Sequence, residues 1–373
     1  MGLQLTMSAE VSRAAVLVAP RDLQLRSYPL PKIGAHDALL KLEACGMCGT
    51  DYEQYAGEIR THPYYTPYPA VIGHEPLGRI VEIGPQARAL WGVEVGDRVA
   101  VRTGYGCGAC VHCLGGTPGR CANRAGTYGM TDVNKSPHLW GGYADYMYLA
   151  PFSSVERMST THRPEAAVLF NPLAAGFSWA VTVPQTLAGE TVVILGPGQR
   201  GLCSVVAAKE AGASKVIVTG LAKDEYKLAL AREFGADLAI DISKGDGVAE
   251  VLEATNGGAN VVVDTTPMAP SAVAQAIGMA GRRARIVLAG LKGQRPSMDV
   301  YADDIIYKEL KIIGTLSTQY EDFVRAVQVI DARKYPLERM NTHTFPIEQA
   351  EEAILTLAGH FPKREPIHIA MVP

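Results

Sequence analysis

The sequence predicts an α/β protein: a strand-and-turn first third followed by a doubly wound parallel sheet. Three observations carry this. After about residue 170, apolar runs of the parallel-strand type alternate with helical segments. A Gly-x-Gly-x-x-Gly loop lies between one of those strands and the helix after it. Glycine is abundant, 38 of 373 residues, which suits many tight turns better than a helical bundle.

In order along the chain, Ala14–Ala19, Ala38–Glu43, Gly78–Ile83 and Arg98–Arg102 are short β-rich runs parted by Gly, Pro and Asp. The rhythm then changes. Thr191–Leu195 is a strand, Gly201–Ala211 a small-residue helix, Lys215–Thr219 a strand and Asp224–Phe234 a helix. Leu238–Ile240, Gly247–Ala254, Asn260–Asp264, Pro270–Met279 and Arg285–Ala289 continue the alternation, and Leu310–Gly314 is the last strand. Two helices, Tyr320–Ala332 and Ile347–Ala358, and a strand, Ile367–Val372, break the rhythm and are expected to return to the first domain. The expected domains are therefore 1–172 with 319–373, and 173–318.

Composition bounds the function. Hydrophobic residues at 47% and charged residues at 20% are globular values with enough chain for large cores. Lys+Arg 35 against Asp+Glu 38 argues against a nucleic-acid or membrane-surface partner. No apolar run reaches the ~18 residues of a spanning helix, and Met1 to Glu10 lacks a secretory pattern, so a cytoplasmic protein is expected. In that compartment clustered cysteines point to metal rather than disulfides.

Seven cysteines occur, and four are clustered. Cys107, Cys110 and Cys113 are spaced by three, and Cys121 follows after eight residues, among many glycines. Four thiolates close a tetrahedral zinc shell with no open position, so this site is expected to be structural. A second group is Cys45-Gly46-Met47-Cys48-Gly49-Thr50-Asp51, followed by Gly73-His74-Glu75. Thiolate, imidazole and carboxylate are first-row metal ligands, and an incomplete shell leaves a position for water or substrate.

In Gly196-Pro197-Gly198-Gln199-Arg200-Gly201, Gly196 permits the tight turn and Gly198 the approach of a pyrophosphate. Gly201 allows close helix–strand packing. The position about 20 residues on, where a carboxylate would hold both ribose hydroxyls of NAD, is Gly220, followed by Lys223 and Lys227. Asp224 and Glu225 also begin that helix and could supply a displaced acid. This neutral position with nearby cations favours NADP(H) over NAD(H).

With these motifs in this order and spacing, the sequence resembles the zinc-containing medium-chain alcohol dehydrogenases over nearly its whole length. The resemblance implies a GroES-like β-barrel catalytic domain built from both chain ends and a Rossmann domain between them. It implies two zincs per chain and hydride transfer between a nicotinamide and an alcohol, aldehyde or ketone whose oxygen is on zinc. It further implies a homodimer or homotetramer, with the strand ending near Lys311 paired across a dimer.

Residue by residue, Cys48 and His74 match the family's catalytic zinc ligands, and Glu75 the adjacent acid that ligates zinc in some members. Asp51 matches the residue that orients the zinc-bound histidine, and Thr50 the hydroxyl that takes the alcohol proton. Cys45 matches no ligand. Three positions depart from the pattern. Asn171 stands where a third, charged ligand is usual, so the expected shell is Cys48, His74, Glu75 and water. Glu53 stands where many members carry a relay histidine, and Arg200 where a small apolar residue backs the nicotinamide. These departures leave two other readings: a member that reduces a C=C bond or does non-redox chemistry, and a non-enzymatic cofactor-binding protein. Tyr64, Tyr65, Tyr68 and Trp140 either line the substrate cleft or pack, and His62, His138 and His343 are expected to be structural or solvated.

Overall fold

The structure, a computed structural model, describes residues 11–58, 66–114, 121–123, 126–293, 295–296 and 300–373. The chain forms two compact units. The first comprises Met1–Asn171, Val327–Arg333 and Leu337–Pro373, and the second Pro172–Ala326 and Lys334–Pro336.

The first unit is built on a seven-stranded sheet. Its path runs Val155–Arg157, Arg98–Val101, Glu75–Ile83, Ala38–Met47, His368–Val372, Asn341–Pro346, and Tyr146–Leu149 also pairs with Ala38–Met47. All its pairs are antiparallel except that between Asn341–Pro346 and His368–Val372. Ala38–Met47 is covered on both faces, with only Lys41 exposed among its ten residues, because it is the strand on which the others converge. A three-stranded sheet, Asp22–Pro29, Val11–Ala19 and Ala70–Val71, packs on it through Val16, Leu40, Val71, Ile80 and Met147. A second apolar cluster joins Met47, Ile72, Tyr143, Ile354 and Ile369.

The second unit holds six parallel strands in the order Leu238–Asp241, Lys215–Gly220, Thr191–Leu195, Ala259–Asp264, Ala280–Leu288, Lys311–Gly314. Numbered along the chain, this is 3-2-1-4-5-6, the doubly wound order whose direction reverses beside the first strand. Thr191–Leu195 lies at that reversal, and the helix Gln199–Glu210 follows it directly. Its last four residues are buried because helices cover both faces of such a sheet, which is why the strand reads as an apolar run.

Several elements depart from the sequence reading. Asn341–Pro346 is a strand although its residues are mostly polar, because only Phe345 turns fully inward. Ala280–Leu288 begins five residues earlier than the apolar run suggests, since Arg282 and Arg283 are exposed on it. The expected helix over 347–358 is a 3₁₀ turn, Ile347–Gln349, followed by Ala350–Leu357. Gln199–Glu210 starts before Gly201 because Gly198, in extended conformation, is its N-cap.

Candidate functional site: a buried metal centre, a cysteine lobe and a glycine loop

Cys48 ends the strand region of Ala38–Met47 and caps the helix Gly49–Ala56. Asp51, at the third position of that helix, is fully buried. One of its oxygens accepts the Cys48 amide at 2.9 Å, and the other lies 3.5 Å from His74 Nδ1. A single carboxylate therefore bonds the Cys48 amide and faces the His74 ring. His74 Nε2 is 3.2 Å from Cys48 Sγ and 3.9 Å from Glu75 Oε1. The three candidate ligand atoms lie within 4.8 Å of one another, and all three residues are buried. Burial pushes the His74 pKa down, but Asp51 and the Cys48 sulfur outweigh it, and the balance lies well above the ordinary value. Sulfur, imidazole and carboxylate converging at this spacing suit zinc, with room in a four-coordinate shell for one more ligand.

Asn171 sits in the helix Phe170–Phe177, and its amide nitrogen donates to the Thr103 hydroxyl at 3.3 Å. Thr103 in turn donates to the backbone carbonyl of His74 at 2.9 Å. Asn171 thus reaches the centre through a hydroxyl. Sequence reasoning did not single out Thr103, and no local pattern marks it, since it acts on a backbone carbonyl 29 residues away. Thr50 is half-buried, and its hydroxyl has no protein partner among the described residues. Glu53, one helical turn on, has its carboxyl pKa raised by burial, helped by Glu58 and Asp51. Cys45 is fully buried in the apolar cluster, as a packing residue would be.

In the cysteine lobe the sulfurs of Cys107, Cys110, Cys113 and Cys121 also lie within 4.8 Å of one another. Cys110 Sγ is 3.5 Å from Cys113 and 3.8 Å from Cys121, and all four are free thiols. Backbone N–H groups of Cys113 and Ala122 point at Cys110 Sγ and bring its pKa down to about 6, while those of Ala109 and Cys110 lower that of Cys107. Desolvation lifts Cys113 to about 11. Amides aimed at sulfur favour thiolates, so the lobe suits a four-thiolate metal.

At the glycine loop, Gly196 has φ 93°, a left-handed conformation, and a Cβ there would come 2.8 Å from Thr266 Cγ2. A Cβ on Gly198 would meet nothing within 4 Å, so its backbone faces open space at a helix N-terminus. Arg200 lies over the Trp179 ring, 5.3 Å from its centroid. At the end of the second strand, Gly220 is buried beside Pro197. Asp224 is turned into its own turn, accepting from the Leu221 amide at 3.3 Å and pairing with Lys227 at 3.1 Å. Lys223 is exposed and has no ion pair among the described residues.

The aromatic candidates separate. The Tyr68 hydroxyl donates to the Gln54 carbonyl at 2.8 Å and the Trp140 indole to the Lys135 carbonyl at 2.8 Å, so both polar ends are engaged in packing. His138 and His343 bond Val133 and Thr342 through Nδ1, a structural role. Tyr64, Tyr65 and His62 lie outside the described residues.

A buried Cys–His–Glu cluster, a four-cysteine lobe and a glycine loop in a doubly wound sheet together have the form of a dehydrogenase with sites suited to a metal and a dinucleotide. Comparison with known proteins agrees. Residues 34–158 match the alcohol dehydrogenase GroES-like domain, and residues 201–332 the zinc-binding dehydrogenase family. A probable alcohol dehydrogenase of Mycobacterium tuberculosis is 46% identical over 367 residues, 97% of this chain and 99% of that one. A structure described as a zinc-binding dehydrogenase from Sinorhizobium meliloti 1021, bound to NADP, is 28% identical. It covers 98% of this chain and 100% of its own, with a TM-score of 0.83. An alcohol dehydrogenase structure from Escherichia coli CFT073, complexed with NADH, is 26% identical over 98% of this chain and 100% of that one, with a TM-score of 0.81. The chain belongs to the zinc-containing medium-chain alcohol dehydrogenase family, with a GroES-like domain and a Rossmann-type domain, and it is an oxidoreductase. No helix among the described residues is long and apolar enough to cross a membrane.

Proposed function

We propose that this protein is a zinc-dependent, NAD(P)(H)-linked alcohol dehydrogenase or carbonyl reductase acting on a small alcohol, aldehyde or ketone. The observation that carries this reading is the convergence of Cys48, His74 and Glu75 within 4.8 Å. Zinc supplies Lewis acidity and the nicotinamide a two-electron couple when both are bound. Cys48, His74 and Glu75 hold the metal, and Asp51 bonds the Cys48 amide and faces the His74 ring. Thr50 takes the substrate hydroxyl proton, and the raised pKa of Glu53 supports a relay role for it over that of a plain exposed acid. The second zinc is held by Cys107, Cys110, Cys113 and Cys121, and it is structural.

The Gly196–Gly201 loop and the N-terminus of Gln199–Glu210 receive the pyrophosphate. Arg200, itself part of that loop and in the helix's first turn, rests on Trp179. NADP(H) is favoured over NAD(H), because Gly220 brings no carboxylate, Asp224 is engaged by Leu221 and Lys227, and Lys223 stands exposed for a 2′-phosphate. The outer strand Lys311–Gly314 pairs on one side with Ala280–Leu288, and Ile312 is 40% exposed, which supports a homo-oligomer formed along that edge.

The test is metal analysis of the purified chain together with a screen of alcohols and aldehydes at the nicotinamide absorbance band. Two zincs per chain with turnover of an alcohol–carbonyl pair support the reading. One zinc, with C=C reduction or no redox change, would favour the second reading that Asn171 raises, a member without ordinary zinc alcohol chemistry.

A further inference from the structure

We propose that His368 is a positioning residue that holds the Glu75 carboxylate toward the metal, an inference resting on the reading of Cys48, His74 and Glu75 as a metal centre. Three neighbouring strands bring the two residues together. Gly46, on the central strand, pairs with Glu75 on one side and with Ala370 on the other. Side chains two residues apart in a strand share a face, so His368 lies on the face of Ala370. A Cβ on Gly46 would stand 2.5 Å from Glu75 Oε2 and 3.1 Å from His368 Nε2. The carboxylate and the imidazole therefore close over one backbone position from opposite sides, and only glycine leaves them that space.

The imidazole is fully buried, and its Nε2 has no hydrogen bond among the described residues. Its other nitrogen, Nδ1, lies 3.2 Å from Asn341 Oδ1, and Asn341 Nδ2 donates to the Thr344 hydroxyl at 3.0 Å. A hydroxyl can donate as well as accept. Turning the Asn341 amide over presents its Nδ2 to His368 Nδ1, lets Thr344 donate to Oδ1, and places the single imidazole proton on Nε2. The ring stays neutral throughout. In that tautomer Nε2–H would face Glu75 Oε2 across the Gly46 backbone and could close a hydrogen bond to it that the other tautomer cannot, leaving Oε1 on the side of His74 Nε2, from which it is 3.9 Å. A carboxylate tethered by one oxygen loses less freedom when the other meets a metal, and partners of this kind orient ligands in metal sites generally.

The sequence offers little to reveal this pair. His368 opens an otherwise apolar strand near the C-terminus, where a buried histidine is usually a matter of packing.

The test uses the full-length protein loaded with zinc or cobalt(II). It follows metal transfer to a chelator and the cobalt absorption bands, with the four-cysteine metal as internal reference. His368→Ala and Gly46→Ala should each weaken the Cys48–His74–Glu75 site by about 10–100-fold and leave the cysteine lobe unchanged. His368→Gln, which keeps an N–H donor of similar reach, should restore most of the affinity. In a Glu75→Ala background, His368→Ala should add nothing. Should His368→Ala fail to fold, the Gln and Gly46 variants carry the comparison. The inference falls if His368→Ala binds metal like the parent, if Gln does no better than Ala, or if the loss persists without Glu75. If Glu75→Ala itself leaves affinity unchanged, the reading of Glu75 as a ligand fails, and this inference with it. If Glu75→Ala weakens binding and His368→Ala does not, the inference alone is wrong.

Discussion

Asn171 donates its amide N–H to the Thr103 hydroxyl at 3.3 Å, and through it is tied to the carbonyl of His74. A neutral amide so engaged adds no charge to the neighbouring centre, whereas the cysteine lobe offers four sulfurs. The two metals should therefore leave at different rates under chelation, the Cys48–His74–Glu75 metal first. Asn171→Asp should strengthen that site by about tenfold or more, the scale at which even outer partners act. Metal content measured through a chelator titration checks this. Simultaneous loss of both metals, or weaker binding in the Asp variant, would overturn the ligand assignment.

Thr50→Ala should lower kcat by about 10²–10⁴-fold, the usual contribution of a positioned proton acceptor, while both metals remain bound. Thr50→Ser should retain most activity. Steady-state kinetics beside metal analysis of the same preparations decides it, and equal rates in all three forms would remove Thr50 from the proton path.

Cofactor choice turns on the end of Lys215–Gly220. A carboxylate at residue 220 is a poor probe, because its Cβ would lie 2.9 Å from the rigid Pro197 ring and 3.1 Å from Leu228 Cδ2. Lys223→Glu is cleaner, since Lys223 is exposed. It should lower kcat/KM for NADP(H) about tenfold relative to NAD(H), ~1.4 kcal/mol of transition-state discrimination. A parent enzyme that prefers NAD(H) more than tenfold would reverse the assignment.

In protein stripped of metal, Cys110 should be alkylated before Cys113. Backbone N–H groups lower its pKa to about 6, so its thiolate forms as pH rises through that value. Its alkylation rate should climb to a plateau above about pH 6. Cys113, pushed up to about 11 by desolvation, should lag across the neutral range. Peptide mapping after timed iodoacetamide treatment at several pH values distinguishes the two. A faster Cys113 would show that the amides are not aimed at Cys110 in solution.

Features whose cause is local are legible in the sequence. Thr191–Leu195 and Gly247–Ala254 were readable residue for residue, because a strand covered on both faces is a continuous apolar run and Asp246 caps its helix from the adjacent position. Three-residue cysteine spacing and a glycine loop between strand and helix are likewise short-range patterns, and resemblance to the family added the names of Cys48, His74 and Glu75. What those residues touch follows only from the folded chain. Asn171 meets Thr103 across 68 positions, and Glu75 and His368 meet over Gly46 because three strands adopt one register. Register and cross-strand pairing join residues remote in the chain, and no periodicity within a segment encodes which neighbour a side chain will face. Asp224 shows the same limit at short range: its charge was legible, but only the folded turn shows it spent on Leu221 and Lys227.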